Sequence, residues 1–225
     1  MEDLKKQAAR FGADIRWGSI TDVDLSQRPF TAKTDDGKTI MADTIIIATG
    51  ASAKWLGIPS ETKFGGYGVS ACATCDGFFY KGKEVAVVGG GDTACEEAVY
   101  LAHLCKKVYL IHRRDELRAT KVMQDKVFRT ANIEVIWNNL PTEIVGTEEG
   151  FNKAVTGVLL KNTLTGEEKK IDIDGIFIAI GHKPNSDLFK GKLELHPEGY
   201  IKTVPGSTKT SVEGVFAAGD IQDLY

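Results

Sequence analysis

Two cysteines separated by two residues, Cys72 and Cys75, lie in the stretch Ala71-Cys72-Ala73-Thr74-Cys75-Asp76-Gly77. A pair at this spacing closes a small disulfide ring and opens it again by thiol exchange. The spacing also tends to lower one thiol pKa, so that thiolate, the attacking species, is present near neutral pH. Ser70 is placed to cap a short helix carrying both sulfurs, and a helix N-terminus favours the anion. Asp76 directly follows the second cysteine and can deliver and remove the proton that exchange requires. The same residues would also fit half of a zinc site, or two buried apolar cysteines. A zinc site needs two more ligands at short spacing, whereas Cys95 and Cys105 stand apart in a helical pattern. Redox chemistry fits the residues better.

A second motif follows. Residues 85–88 read as a strand that runs into Gly89-Gly90-Gly91-Asp92-Thr93-Ala94, with a helix expected over 93–104 and another strand over 107–111. This is a β-α-β unit with Gly-x-Gly-x-x-Ala at its first turn, the arrangement that sets a pyrophosphate on a helix N-terminus. Alone the motif is weak and fits a tight turn with no ligand; strand before and helix after strengthen it. A reader of the ribose 2′-hydroxyl would place Asp or Glu about twenty residues past the glycines. This chain instead has His112-Arg113-Arg114-Asp115-Glu116-Leu117-Arg118. A guanidinium fork matches the 2′-phosphate of NADPH in charge and geometry. A basic run is usually a solvated face, but this one sits at a strand's carboxyl end. His103 and Cys105 fall within the helical stretch and are read as structural.

The remaining elements must position these groups. At 225 residues, 42% hydrophobic and 26% charged, the chain suits one large domain or two small ones. Its net charge of −3 offers no global field for nucleic acid or anionic lipid. Nothing in it reads as a membrane span or a signal peptide, so a reducing cytoplasm is expected, where such a cysteine pair is more often catalytic than structural. In order, the pattern predicts a helix over 2–11, a strand over 15–23, and a hairpin of 29–34 with 38–41 across Asp35-Asp36-Gly37. A β-branched run at 44–48 reads as a central strand covered on both faces, ending in Thr49-Gly50-Ala51-Ser52. Residues 54–68 look like a crossover. A helix over 121–131 and a strand over 133–137 extend the parallel sheet. A β-meander over 141–173 turns at Glu149-Gly150 and Thr165-Gly166. A buried strand at 176–180 is broken by Gly181-His182-Lys183-Pro184-Asn185. The last strand ends in Gly219-Asp220, where a carboxylate either holds cofactor hydroxyls or caps a helix.

Taken together, Ala48-Thr49-Gly50-Ala51-Ser52, the Cys-Ala-Thr-Cys-Asp-Gly stretch, the glycine turn, His112-Arg113-Arg114-Asp115, Gly181 to Asn185 and Ala217-Ala218-Gly219-Asp220 resemble the bacterial-type, low-molecular-weight thioredoxin reductases. The resemblance implies an α/β protein with two Rossmann-like domains: an FAD domain split into 1–54 and 182–225, and an inserted NADPH domain at 55–181. It implies that Cys75 faces the flavin, Cys72 exchanges with thioredoxin and Asp76 is the acid/base. It implies an NADPH site of Gly89, Gly91, Asp92, Thr93, Ile180 and Gly181, with His112, Arg113, Arg114 and Arg118 on the 2′-phosphate. Thr49, Gly50, Gly219 and Asp220 would meet FAD, Asp220 at its ribityl chain. It further implies a homodimer, and an inserted domain that turns about connections near 52–59 and 181–186. The family's N-terminal strand with its Gly-x-Gly-x-x-Gly turn is not found before Gly50, nor is the helix beginning Arg-Gln-Ala found after Gly219-Asp220. The chain is therefore expected to be an internal piece whose FAD domain lacks head and tail. Two other readings stay open: the reductase module of a peroxiredoxin-reducing flavoprotein, and an NADPH-binding module without turnover.

Overall fold

The structure, a computed structural model, describes residues 2–149 and 152–223. The chain divides into two compact units: residues up to Ser52 together with those from Lys183 on, and Ala53–His182 between them.

The first unit opens with helix α1 (Glu2–Arg10), none of whose side chains is buried. Leu4 and Phe11 are 65% and 77% exposed. Strands β1 (Ile20–Asp24), β2 (Phe30–Thr34) and β3 (Thr39–Ala42) form an antiparallel sheet in that order. β1 starts later than the predicted 15, because residues before it have no ladder partner among the described residues. The Asp35-Asp36-Gly37 hairpin is present, with the Thr34 hydroxyl bonded to Asp36 and to the Lys38 backbone. β4 (Ile45–Ile47) leads to β5 (Ala51–Ala53), at the first connection between the units.

In the second unit the crossover holds a short helix, α2 (Pro59–Lys63), a feature not expected there. Next come β6 (Val69–Ser70), α3 (Ala73–Asp76), β7 (Glu84–Val88), α4 (Asp92–Ala102), β8 (Lys107–Ile111), α5 (Lys121–Arg129) and β9 (Ile133–Ile136). β10 (Asn139–Glu149), β11 (Asn152–Asn162) and β12 (Glu168–Ile171) make an antiparallel meander, and β13 (Gly175–Ile178) closes the unit. The meander's second turn is where it was predicted; Gly150 of the first lies outside the described residues.

Among the described residues β6, β13, β7, β8 and β9 form one parallel sheet in that order. Alternation along β7 assigns its faces. Val85 and Val87 pack under α4 and α5 with Ala94, Ala98, Leu101 and Val127. Ala86 and Val88 pack toward the meander with Ile144, Val158 and Leu160. A sheet covered on both sides explains the near-continuous apolar runs of its strands. In register, Val88 stands beside Ile111 and Ile178, so these strands end along one edge. That edge carries the glycine turn.

The chain returns to the first unit through β14 (His182–Pro184), which pairs with β5, and β15 (Val215–Ala217), which runs parallel to β4. A core of Val23, Phe30, Ile47, Ile201, Val215 and Ile221 fills this unit. β4 departs from expectation. Its only ladder partner among the described residues is β15, and Ile46 is 72% exposed while Ile47 turns into the core. The β-branched run therefore covers a core on one face only.

Candidate active site

Cys72 and Cys75 form a disulfide, with the sulfurs 2.04 Å apart. Cys72, not Ser70, is the N-cap of α3: its backbone is extended and its Sγ accepts the Cys75 N–H at 3.2 Å. An amide aimed at this sulfur stabilises the anion that reduction leaves there. The Ser70 hydroxyl instead accepts the Cys72 N–H at 3.1 Å and donates to Asp76 Oδ2 at 2.6 Å. Ser70 thus fixes the acid beside the pair. Cys75 is exposed and Cys72 half-buried. On the 3₁₀ turn that follows, Phe78 and Phe79 are 70% and 71% exposed. No periodic pattern of residues marks this aromatic patch. Cys95 and Cys105 are buried, and burial pushes both thiols up to about 11, which leaves them unreactive.

In the same unit, at the carboxyl edge of the sheet, lies a cavity of about 410 Å³. It brings together Gly89, Gly91, Thr93, His112, Arg113, Arg118, Ile180 and Gly181, all expected from the sequence. Two turns of chain explain how. Gly91 caps α4, so the helix N-terminus opens at the cavity. The loop after β8 folds back onto the turn, with the Arg118 N–H donating to Gly90 O at 2.7 Å.

Asp92 and Arg114 were expected at the site and are not in its lining. The Asp92 carboxylate accepts both the N–H and the hydroxyl of Thr120, which hold its pKa below the usual range. It fastens the returning loop rather than offering itself to a ligand. His112 also differs from a phosphate-binding cation. Its ring is 5% exposed and packs against Gly90, and burial lowers its pKa, so it forms a neutral floor under the turn.

The glycines are needed for room. A Cβ on Gly89 would stand 2.3 Å from the Ala179 carbonyl oxygen, and one on Gly90 would stand 2.2 Å from the His112 ring. Gly89→Ala therefore pushes the turn off its strand. We expect NADPH affinity in this variant to fall by at least about tenfold, measured by calorimetric titration, since the clash is with backbone that cannot step aside.

Trp55 and Leu56, in the stretch whose sequence looks like a crossover, complete the wall. Glu61 holds them. Its carboxylate is 5% exposed and accepts the N–H of Leu56 at 2.8 Å and of Gly57 at 3.0 Å. Glu61→Ala removes the acceptor of two amides, one on half-buried Leu56 and one on exposed Gly57. A stability loss of about 1–3 kcal/mol in urea titrations is expected, together with a raised KM for NADPH as the wall loosens.

The comparisons with known proteins bear on this geometry. The family model described as pyridine nucleotide-disulphide oxidoreductase matches residues 3–224. A thioredoxin reductase of Rickettsia conorii is 52% identical over 99% of this chain and 71% of its own length. One from Vibrio cholerae is 49% identical over 99% of this chain and 70% of its length. Among solved structures, a thioredoxin reductase from Giardia duodenalis superimposes with a TM-score of 0.81 at 41% identity, covering 100% of this chain and 72% of that one. The chain belongs to the thioredoxin reductases.

Thioredoxin reductases are NADPH-dependent flavoprotein disulfide oxidoreductases, and the Cys72–Cys75 disulfide fits the redox-active disulfide of that family. The cradle at Gly89–Gly91, with Arg113 and Arg118 beside it, fits a dinucleotide phosphate. The first unit supplies residues suited to the flavin. β4 and β15 are parallel neighbours in register, so Thr49-Gly50 and Gly219-Asp220 leave the same edge. Asp220 is exposed there. Asn185 stitches the first of these loops: its amide donates to Thr49 O, and its Oδ1 accepts the Ser52 hydroxyl, both at 2.9 Å. Among the described residues no helix is long and apolar enough to cross a membrane, and no group of side chains is arranged to hold a metal.

Proposed function

We propose that residues 53–182 form the NADPH and dithiol domain of this thioredoxin reductase, and that the two flanking segments form its FAD domain. The observation that carries this is the joining, in one compact unit, of a capped, partly exposed disulfide and a dinucleotide cradle. Arg113 and Arg118 take the 2′-phosphate, Gly89–Gly91 and the α4 N-terminus take the pyrophosphate, and Ile180 and Gly181 bound the cavity as part of the same site. Thr49, Gly50, Gly219 and Asp220 hold the flavin, Asp220 by accepting hydroxyls. FAD, when bound, supplies the two-electron relay between NADPH and the disulfide.

The chain's own residues then do the exchange. The amide aimed at Cys72 supports it as the attacking sulfur, with Cys75 left to face the flavin. The Cys72 thiolate attacks one sulfur of the thioredoxin disulfide, and the leaving thiolate takes a proton. Asp76, held by Ser70, is the acid for that transfer. Cys75 then attacks the Cys72 sulfur of the mixed disulfide, restores Cys72–Cys75 and releases the second thioredoxin thiolate, which is protonated from solvent to give dithiol thioredoxin. Phe78 and Phe79 offer the partner an apolar contact beside the sulfurs. A homodimer and a cytoplasmic setting belong to this reading on the family likeness.

The test is consumption of NADPH, with FAD and oxidised thioredoxin supplied, by this chain extended to the full length of its relatives, of which it spans about 71%. Stoichiometric formation of thioredoxin thiols is expected. NADPH consumption that does not depend on thioredoxin, with no thiols formed, would overturn the assignment.

A further inference from the structure

Glu97, on α4, is a half-buried carboxyl with one oxygen out of reach of solvent, and the exchange described above does not use it. Its Oε1 accepts the N–H of Ala73 at 3.5 Å, and its Oε2 is buried with no hydrogen-bond partner among the described residues. Ala73 is the residue next to Cys72, itself 1% exposed, and α3 packs on α4 at this point. A bare carboxylate oxygen out of water is costly unless it carries a proton or gains a partner. In line with that, burial raises the Glu97 pKa and the Ala73 amide only partly offsets the rise.

We propose that Glu97 is a positioning residue of the redox pair, which anchors the turn through the Ala73 N–H and takes up a proton as the Cys72–Cys75 disulfide is reduced. Reduction breaks the Sγ–Sγ bond and puts two electrons, delivered from NADPH, on the sulfurs. One sulfur is protonated and the other remains a thiolate near neutral pH. Glu97 holds the N–H of the residue next to Cys72, so a thiolate on half-buried Cys72 and an ionised Glu97 lie on one short turn and repel, and protonating Glu97 avoids the second anion. Linkage makes this reciprocal: ionised Glu97 opposes reduction, and reduction raises the Glu97 pKa.

Other charged groups near the pair are the same in both proteins compared below, so they do not enter the difference between them. From α3, Asp76 is hydrogen-bonded to Ser70. On α4 itself Asp92 is engaged by Thr120, and Glu96 is exposed. Tyr80, beside α3, is neutral at these pH values, its hydroxyl raised by burial and by Asp76. From the sheet strands under α4, Glu84 is paired with Lys106 and Tyr109, and Glu134 with Lys107. The α5 charges Lys121, Asp125, Lys126 and Arg129 do not act on Glu97, whose pKa responds to burial and the Ala73 amide.

The inference rests on Cys72–Cys75 being the redox pair. Its test is the reduced-to-oxidised ratio of that pair in dithiothreitol redox buffers from about pH 5 to about pH 9, read by thiol alkylation and corrected for the buffer's own protons. The wild type should show an added dependence, approaching tenfold per pH unit, in a window above the ordinary carboxylate range. Glu97→Gln should lack it. Parallel profiles for the two proteins would overturn the proposal. A pair that never equilibrates in either protein would instead defeat the redox reading itself. A second measurement needs no variant: the reduced-minus-oxidised infrared difference spectrum of glutamate-labelled wild type should gain a carboxylic-acid C=O band. Its absence would also overturn the proposal.

Discussion

Cys72→Ser and Cys75→Ser each lower thioredoxin reduction by at least roughly a thousandfold, because the exchange needs both an attacking and a resolving sulfur and neither hydroxyl replaces a thiolate. The two variants fail differently. With Cys75 replaced, Cys72 at the helix cap still attacks, and no second thiol resolves the product. A mixed disulfide with thioredoxin should accumulate, visible on a non-reducing gel and cleared by dithiothreitol. With Cys72 replaced, the attacking sulfur is gone and little trapping is expected. Trapping by Cys72→Ser and none by Cys75→Ser would reverse the two roles. Asp76→Asn separates the proton from the sulfurs: kcat should fall while the KM for NADPH holds, since the carboxylate lies on Ser70 and not in the nucleotide cavity.

How much of this was legible in the sequence depends on how local the determinant is. Cys-x-x-Cys, the strand running into three glycines and the helix after them are set by neighbouring residues, and their places follow from the pattern. The basic run after β8 was legible as charge, but its arrangement was not. Arg118 reaches the cavity because its amide bonds back to Gly90, and His112 leaves the group because its ring goes under that same turn. Both depend on chain distant in sequence. Trp55 and Leu56 were invisible for a similar reason. Their stretch has no period, and it is a buried carboxylate, Glu61, that shapes it into a wall. The error over β4 has another cause. A run of isoleucines shows that apolar surface wants cover, but it cannot say whether one face or both receive it among the residues at hand; Ile46 stays open and Ile47 does not.

Arg113→Ala and Arg118→Ala should each weaken NADPH binding by roughly ten- to a hundredfold while NADH binding changes little. One charge-assisted contact to a phosphate is worth about 1.5–3 kcal/mol, and only NADPH carries the phosphate that these guanidiniums would meet. Both arginines line the cavity, Arg118 carried in by the hydrogen bond from its amide to Gly90. That bond belongs to the backbone, so alanine at this position keeps the loop in place and removes only the side chain. Arg114 is the internal control. It is exposed and outside the lining, so its replacement should move NADPH affinity by less than about threefold, the size of a distant surface charge. His112→Asn separates packing from charge at the remaining position. A neutral floor predicts that it weakens NADPH and NADH alike, because the turn above it sags for both. A loss confined to NADPH would return His112 to the phosphate. Equal losses of both nucleotides on removing either arginine would mean that the 2′-phosphate lies elsewhere, and that the discrimination has to be carried by groups other than this basic run.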